Sequence, residues 1–257
     1  MKFSPTNQGQ QVPGQAAVSS RDMWAVVPVK ALAGAKQRLK DRMGPRREGF
    51  TLAMLADVLA ALGESKAISR IAVVTSDQRV GEIAAQKGLT VVEEGRSAGL
   101  NAAINLGVEA VRRLGGKRAV IVPSDIPLLT GAELDRLIAA FDTQSHNRFE
   151  NAVGISPSGD GGGTNCLIMG TGRVFTFQYG PGSFKIHCES AKAHQRDVYT
   201  LYSSTISLDI DEPRHVDELL AFYKQHPEFR KSETWKFLHE TTAIAQKAQR
   251  NGGDGNE

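Results

Sequence analysis

Two cysteines in 257 residues, Cys166 and Cys188, give no disulfide framework, and they lack the short pair spacing of a metal knuckle. A reducing compartment, the cytoplasm, is the expected location. No run of eighteen apolar residues occurs, so no stretch is fit to cross a bilayer. Residues 1–8 also lack the apolar core of a secretion signal. Charge of one sign is scarce: 31 Lys and Arg against 28 Asp and Glu leave +3. Aromatic residues are missing between Trp24 and Phe50, where basic residues are densest. A nucleic-acid surface needs a broad basic footprint interleaved with aromatics, and that is excluded. Gly-x-x-x-x-Gly-Lys-Ser/Thr appears nowhere, and no Gly-x-Gly-x-x-Gly follows the first apolar run. Neither a P-loop nominee nor a dinucleotide-binding dehydrogenase is in view.

What is present is ordinary globular material, 40% hydrophobic and 23% charged, in one large domain or two small ones. Residues 1–22, rich in Gln, Ser, Gly and Pro, read as a flexible leader. Residues 23–226 read as a single domain, and 227–257 as a helical extension near Ser232 to Gln249 with a frayed tail. Apolar β-rich runs start at Met23, Ile71, Leu89 and Ala119. Between and after them come helical patterns at Phe50–Leu62, Gln78–Lys87, Leu100–Leu114 and Glu133–Phe141. Continuous apolar strands between amphipathic helices predict a mostly parallel sheet covered on both faces, an α/β fold of three layers. Beyond Ala152 the pattern loosens into short strands (Ala152–Ser156, Cys166–Met169, Val198–Tyr202, Ile206–Ile210) and a helix at Pro213–Tyr223.

Ligands of open α/β sheets bind beyond the carboxyl ends of the strands, and the unusual residues fall there. After the first strand come Pro28, Lys30, Lys36 and Arg38, part of a segment with seven basic residues and one acid between Lys30 and Arg47. A solvated face is the plain role of such a run. A site for a small phosphorylated ligand is the sharper one. Thr75 and Asp77 follow the second strand, and Gly99 and Asn101 open a helix. Asp125 stands between Pro123 and Pro127 after a buried strand. An aspartate there can be a turn cap, or can hold magnesium, which takes one or two carboxylates plus phosphate oxygens. Asp209 and Asp211 alternate with Leu208 and Ile210, so strand geometry puts both acids on one face. Asp211 could equally cap the helix opened by Pro213. Two glycine-rich loops, 158–165 and 179–184, let backbone N–H groups approach an anion, and Ser183 opens a helix whose amino end suits one. His187 and His194 lie seven apart without a third ligand and read as structural or substrate-edge residues.

In order, these segments resemble one family, the 2-phospholactate or phosphoenolpyruvate guanylyltransferases of coenzyme F-420 biosynthesis. The resemblance runs from about Trp24 to Tyr223. It is carried by Val27-Pro28-Val29-Lys30 with Lys36-Gln37-Arg38-Leu39, Gly99-Leu100-Asn101 and Pro123-Ser124-Asp125-Ile126-Pro127-Leu128-Leu129. Its more specific parts are Asp160-Gly161-Gly162-Gly163-Thr164-Asn165, Gly180-Pro181-Gly182-Ser183-Phe184 and Leu208-Asp209-Ile210-Asp211. Cys166 departs from the small residue expected after Thr-Asn.

The resemblance implies a nucleotidyltransferase-type, Rossmann-like three-layer fold and transfer of GMP from GTP to a phosphorylated three-carbon acid. Phosphoenolpyruvate, 2-phospholactate and 3-phosphoglycerate all remain open as that acid. Thr164, Gly180 and Ser183 would hold it. Magnesium is assigned to Asp125, Asp209 and Asp211. Triphosphate is assigned to Lys30, Lys36 and Arg38, which with Asp125 carry the chemistry. Base or ribose contacts go to the Thr75–Asp77 and Gly99–Asn101 loops, and Pro28 and Lys30 are also counted among the nucleotide-binding residues. GTP and the acid are the expected partners, without nucleic acid or membrane, and a homodimer is left open. A sugar-phosphate or molybdopterin-type nucleotidyltransferase, or a metal-dependent glycosyltransferase, is the alternative.

Overall fold

The computed structural model describes residues 22–95 and 98–240. The expected leader (apart from residue 22), Ser97 and the segment after 240 lie outside them. Seven strands form one sheet: β1 (Met23–Val29), β2 (Ile68–Thr75), β3 (Thr90–Glu93), β4 (Arg118–Ile121), β5 (Ala152–Pro157), β6 (Thr164–Gly170) and β7 (Asp197–Thr200), in the order β3-β2-β1-β4-β6-β5-β7. β6 runs antiparallel to β4 and β5, and every other pairing is parallel.

The helices are α1 (Lys40–Met43), α2 (Arg47–Glu64), α3 (Gln78–Gln86), α4 (Leu100–Arg113), α5 (Gly131–Gln144), α6 (Ser183–Ala193), α7 (Pro213–Gln225) and α8 (233–240). All seven residues of β1 are buried. Met23, Ala25, Val27 and Val29 face a core shared with α2, α3 and α5, while Trp24 and Val26 face one shared with α4 and α6. That double burial is why the run carries no polar alternation, and it makes the three layers. Gly107 lets α4 close on the sheet, since a Cβ there would meet Val26 Cγ1 at 2.6 Å and Val74 Cγ2 at 2.7 Å. A third core, with Phe50, Met54, Leu128, Ile210, Val216, Leu219, Tyr223 and Leu238, seats α7 and α8 on α2.

The chain lays β1, β2 and β3 outward in one direction, then returns to place β4 on the other flank of β1. This reversal opens a crevice at the carboxyl ends of β1 and β4. The β1–β4 ladder stops at Val26 and Ile121, so Pro28, which has no N–H to give, stands beyond it.

Two local expectations are corrected. Ile206–Ile210 joins no ladder and runs as turn and irregular backbone. Its two isoleucines anchor different cores, Ile206 under α5 and Ile210 under α7, so they do not serve one strand face. Nor does Asp211 cap α7. Glu212 does, in a capping box with His215, which leaves the Asp211 side chain free for other contacts.

Candidate active site

The crevice gathers Lys36, Asp125, Asp209 and Asp211. After β1 the chain turns through short 3-10 segments, and Lys36 takes a left-handed backbone, φ 51°, which costs a non-glycine residue of order 1 kcal/mol or more. That turn sends its side chain inward, where it is only 8% exposed. Lys36 Nζ donates to Asp125 Oδ2 at 2.5 Å and to Asp211 Oδ1 at 2.6 Å. Ile210 N donates to Asp125 O at 2.9 Å, which fixes the late acids against the loop after β4.

Charge organises this cluster. Burial would lower the Lys36 pKa, but the two carboxylates outweigh it and raise it. Burial would raise Asp211, but Lys36, then Arg38 and Lys30, pull it below the ordinary carboxylate range. Asp209 goes the other way. Its burial and the nearby charges of Asp125 and Asp211 raise it, against a hydrogen bond from Asn165 Nδ2 at 3.0 Å. Lys30 is exposed, and Arg38, 72% exposed, reaches Glu212 at 3.4 Å.

Among the described residues no group of three or more His, Cys, Asp or Glu side chains is disposed to hold a metal ion. The reason is visible: Asp209 is turned to Asn165, and the Lys36 ammonium stands where Asp125 and Asp211 converge. The pair nevertheless suits a hard cation. Asp125 Oδ1 is buried without a hydrogen-bond partner among the described residues, and both carboxylates already close on one positive charge.

Beside this cluster lies a group of buried, uncharged side chains. Asn165 binds Ile206 O, Ser207 O and Asp209 Oδ1, tying β6 to the acids. Its neighbour Thr164 is 6% exposed and contacts His187 Nδ1 at 3.0 Å. Ser183 Oγ donates to Thr164 Oγ1 at 3.4 Å. α6 starts at Ser183 because Gly182 takes φ 74° before it, a left-handed turn that favours glycine, and Phe184 N donates to Gly162 O. The two glycine loops are thus joined at the amino end of α6. Gly180, with φ 137°, is exposed beside them.

Of the remaining expected residues, Thr75, Asp77 and Asn101 have their side chains already engaged. Asp77 caps α3 and accepts from Leu32 N at 2.9 Å, pinning the loop that leads to Lys36. Thr75 Oγ1 accepts from Asp77 N. The Asn101 amide makes two bonds to the Tyr179 backbone, at 2.7 Å and 3.3 Å, and Gly99 begins α4 with φ 96°. Asn165 carries no role in the sequence reading, although it directly follows Thr164 in the glycine loop, and His187 is read there only as a structural or substrate-edge residue. Nothing local in sequence marks His187 apart from its place on α6.

The chain matches the family described as "Guanylyl transferase CofC like" over residues 23–240. It is 37% identical over 205 residues to a phosphoenolpyruvate guanylyltransferase of Roseiflexus castenholzii, covering 79% of this chain and 89% of that one. A 2-phospho-L-lactate guanylyltransferase of Methanothermobacter thermautotrophicus is 32% identical (76% and 83% covered). A 3-phospho-D-glycerate guanylyltransferase of Phenylobacterium zucineum is 30% identical (76% and 88%). In fold it is similar to a solved structure named as a nucleotide-diphospho-sugar transferase, from Desulfovibrio desulfuricans, with TM-score 0.69 and 19% identity over 88% of this chain and 97% of that one. With the match spanning both the acid cluster and the glycine loops, the chain belongs to the CofC-like guanylyltransferase family.

Proposed function

We propose that this enzyme moves GMP from GTP onto the phosphate of a small phosphorylated acid, releasing pyrophosphate, in the making of coenzyme F-420. The observation that carries the reading is the crevice: a buried Lys36 between Asp125 and Asp211, with Lys30 and Arg38 close by. A phosphate monoester has a second pKa near 6 and is mostly ionised at pH 7, so its attack on the α-phosphorus needs no general base. The new P–O bond forms as the bond to pyrophosphate breaks, and the proton balance stays with the solvent. The demand on the protein is alignment and neutralisation of charge. Lys36, Lys30 and Arg38 neutralise the triphosphate. The loops Thr75–Asp77 and Gly99–Asn101 line the base or ribose, with Pro28 also on the nucleotide side. Asp125 and Asp211, with Asp209 behind them, would hold a magnesium ion, which when bound supplies further neutralisation of phosphate charge.

Thr164, Gly180 and Ser183 hold the acid. The side chains in contact there are the Thr164 and Ser183 hydroxyls, so uncharged donors at the start of α6 carry its recognition. The relatives bear the names of three different acids, which keeps phosphoenolpyruvate, 2-phospholactate and 3-phosphoglycerate as the candidates. The test is pyrophosphate release with each acid against GTP, ATP, CTP and UTP in magnesium. GTP with one of the three acids is expected to turn over fastest. Turnover with a sugar phosphate and none of the acids would overturn the proposal.

A further inference from the structure

His187 is fully buried in α6, and both ring nitrogens are engaged. Gln178 N, a backbone donor that can play no other part, gives its hydrogen to Nε2 at 3.0 Å. Nε2 is therefore the acceptor nitrogen of a neutral ring, and Nδ1 bears the proton. It points at Thr164 Oγ1, 3.0 Å away.

His187 Nδ1, Thr164 Oγ1 and Ser183 Oγ bring three hydrogens to two contacts, one at 3.0 Å and one at 3.4 Å. One hydroxyl proton, on Thr164 or on Ser183, is left without an acceptor among these three groups. With the opposite tautomer, Thr164 would donate to His187 and Ser183 to Thr164, and no proton would remain. Buried donors left unpaired cost about 1–3 kcal/mol, so a fold that keeps a surplus donor here is set to meet an acceptor.

We propose that His187 is a positioning residue of the acceptor pocket, whose fixed tautomer makes the Thr164–Ser183 pair a hydrogen donor toward the anionic group of the phosphorylated acid. This rests on the reading that Thr164 and Ser183 hold that acid. Tyr179 and Phe175 pack on the ring at 4.6 and 5.9 Å between centroids and keep it in place. The gap from Gln178 to His187 is spanned by the Gly180–Gly182 turn. The same bond that sets the tautomer therefore also holds the loop carrying Gly180.

The tautomer is read directly on the full-length wild-type chain, labelled with ¹⁵N-histidine, by NMR, with His187→Asn used to assign the signal. Protonated Nδ1 and bare Nε2 are expected, and the reverse overturns the proposal whether or not any variant folds. Kinetics then use GTP and whichever of phosphoenolpyruvate, 2-phospholactate and 3-phosphoglycerate turns over best. His187→Leu is expected to raise KM for the acid about tenfold, as fits one hydrogen bond to an anion, with KM for GTP unmoved. His187→Asn, whose amide can stand in for Nδ1–H, is expected to restore most of the loss. Equal damage in both variants, or parallel rises in both KM values, overturns the role. Thr164→Val run alongside separates the two failures. If it raises KM for the acid while His187→Leu does not, the role of His187 falls alone. If Thr164→Val leaves that KM unchanged, the acceptor reading falls and takes this role with it.

Discussion

The two halves of the crevice are built by opposite means for the anions that we propose they hold. On the β1–β4 side the chain brings full charges together: Lys36 is pressed between Asp125 and Asp211, with Arg38 and Lys30 in the surrounding field. On the β6–α6 side the contacts are between uncharged side chains, the Thr164 and Ser183 hydroxyls and the His187 imidazole, at the start of α6. The first arrangement suits a polyphosphate whose charge changes hands during the reaction. The second suits a small acid that has to be recognised by shape and donor placement. Asn165 stands between them, one residue from Thr164 and hydrogen-bonded to Asp209, so the halves are mechanically joined while differing in electrostatics.

The largest effect is expected where charge is fixed most tightly. Asp125→Asn should cost about a hundredfold or more in turnover, in line with losing one preorganised charged group, while the melting temperature barely changes. Excess chelator should silence the wild type to a similar degree. Full activity in either experiment would remove the charged half of the comparison.

Lys36 and Arg38 come next, and the structure separates them. Lys36→Met is expected to lower kcat/KM for GTP roughly ten- to a hundredfold, the worth of a charge-assisted hydrogen bond. Arg38, 72% exposed and loosely paired with Glu212, should lose only a few-fold when changed to Ala, because solvent screens it. Equal losses at both positions, measured by steady-state kinetics with GTP varied, would show that burial does not set their rank.

On the neutral side, Thr164→Val and Ser183→Ala should raise KM for the acid about tenfold and shift preference among the three candidate acids. A melting curve run beside the kinetics guards against simple loss of packing, since both residues are buried.

The neutral half also has a pH signature. Burial pushes the His187 pKa down to about 4, against about 6.5 in an unfolded chain. Between those values the unfolded chain binds a proton that the folded one refuses. The stabilisation from keeping this ring neutral is therefore complete above pH 6.5 and is lost as pH falls from 6.5 toward 4. Its size is on the order of 3 kcal/mol. Chemical denaturation at pH 7, 5.5 and 4.5 should show that loss, and His187→Asn should remove it.

The same division explains what was legible in the sequence. Strands such as Met23–Val29 announced themselves because both of their faces are buried, and the loop residues after them fell at the ligand edge because parallel topology puts them there. Asp125, flanked by prolines, and the two glycine loops were visible for similar local reasons. The run Ile206–Ile210 read as a strand because alternation cannot tell one buried face from two separate anchors. Glu212 displaced Asp211 as the α7 cap through its pairing with His215, a choice between adjacent acids that spacing does not decide. The seat of Lys36 depends on a single left-handed residue, and no propensity marks it. His187 and Asn165 act through contacts 23 and 44 residues away, beyond the reach of any local pattern.

The central claim, that one half of the crevice holds GTP and the other holds the acid, is tested most directly by crossed steady-state kinetics on Lys36→Met and Thr164→Val, each substrate varied at saturating levels of the other. The account predicts that Lys36→Met weakens GTP and leaves KM for the acid near the wild-type value, while Thr164→Val does the reverse. Parallel changes in both constants for both variants would contradict it.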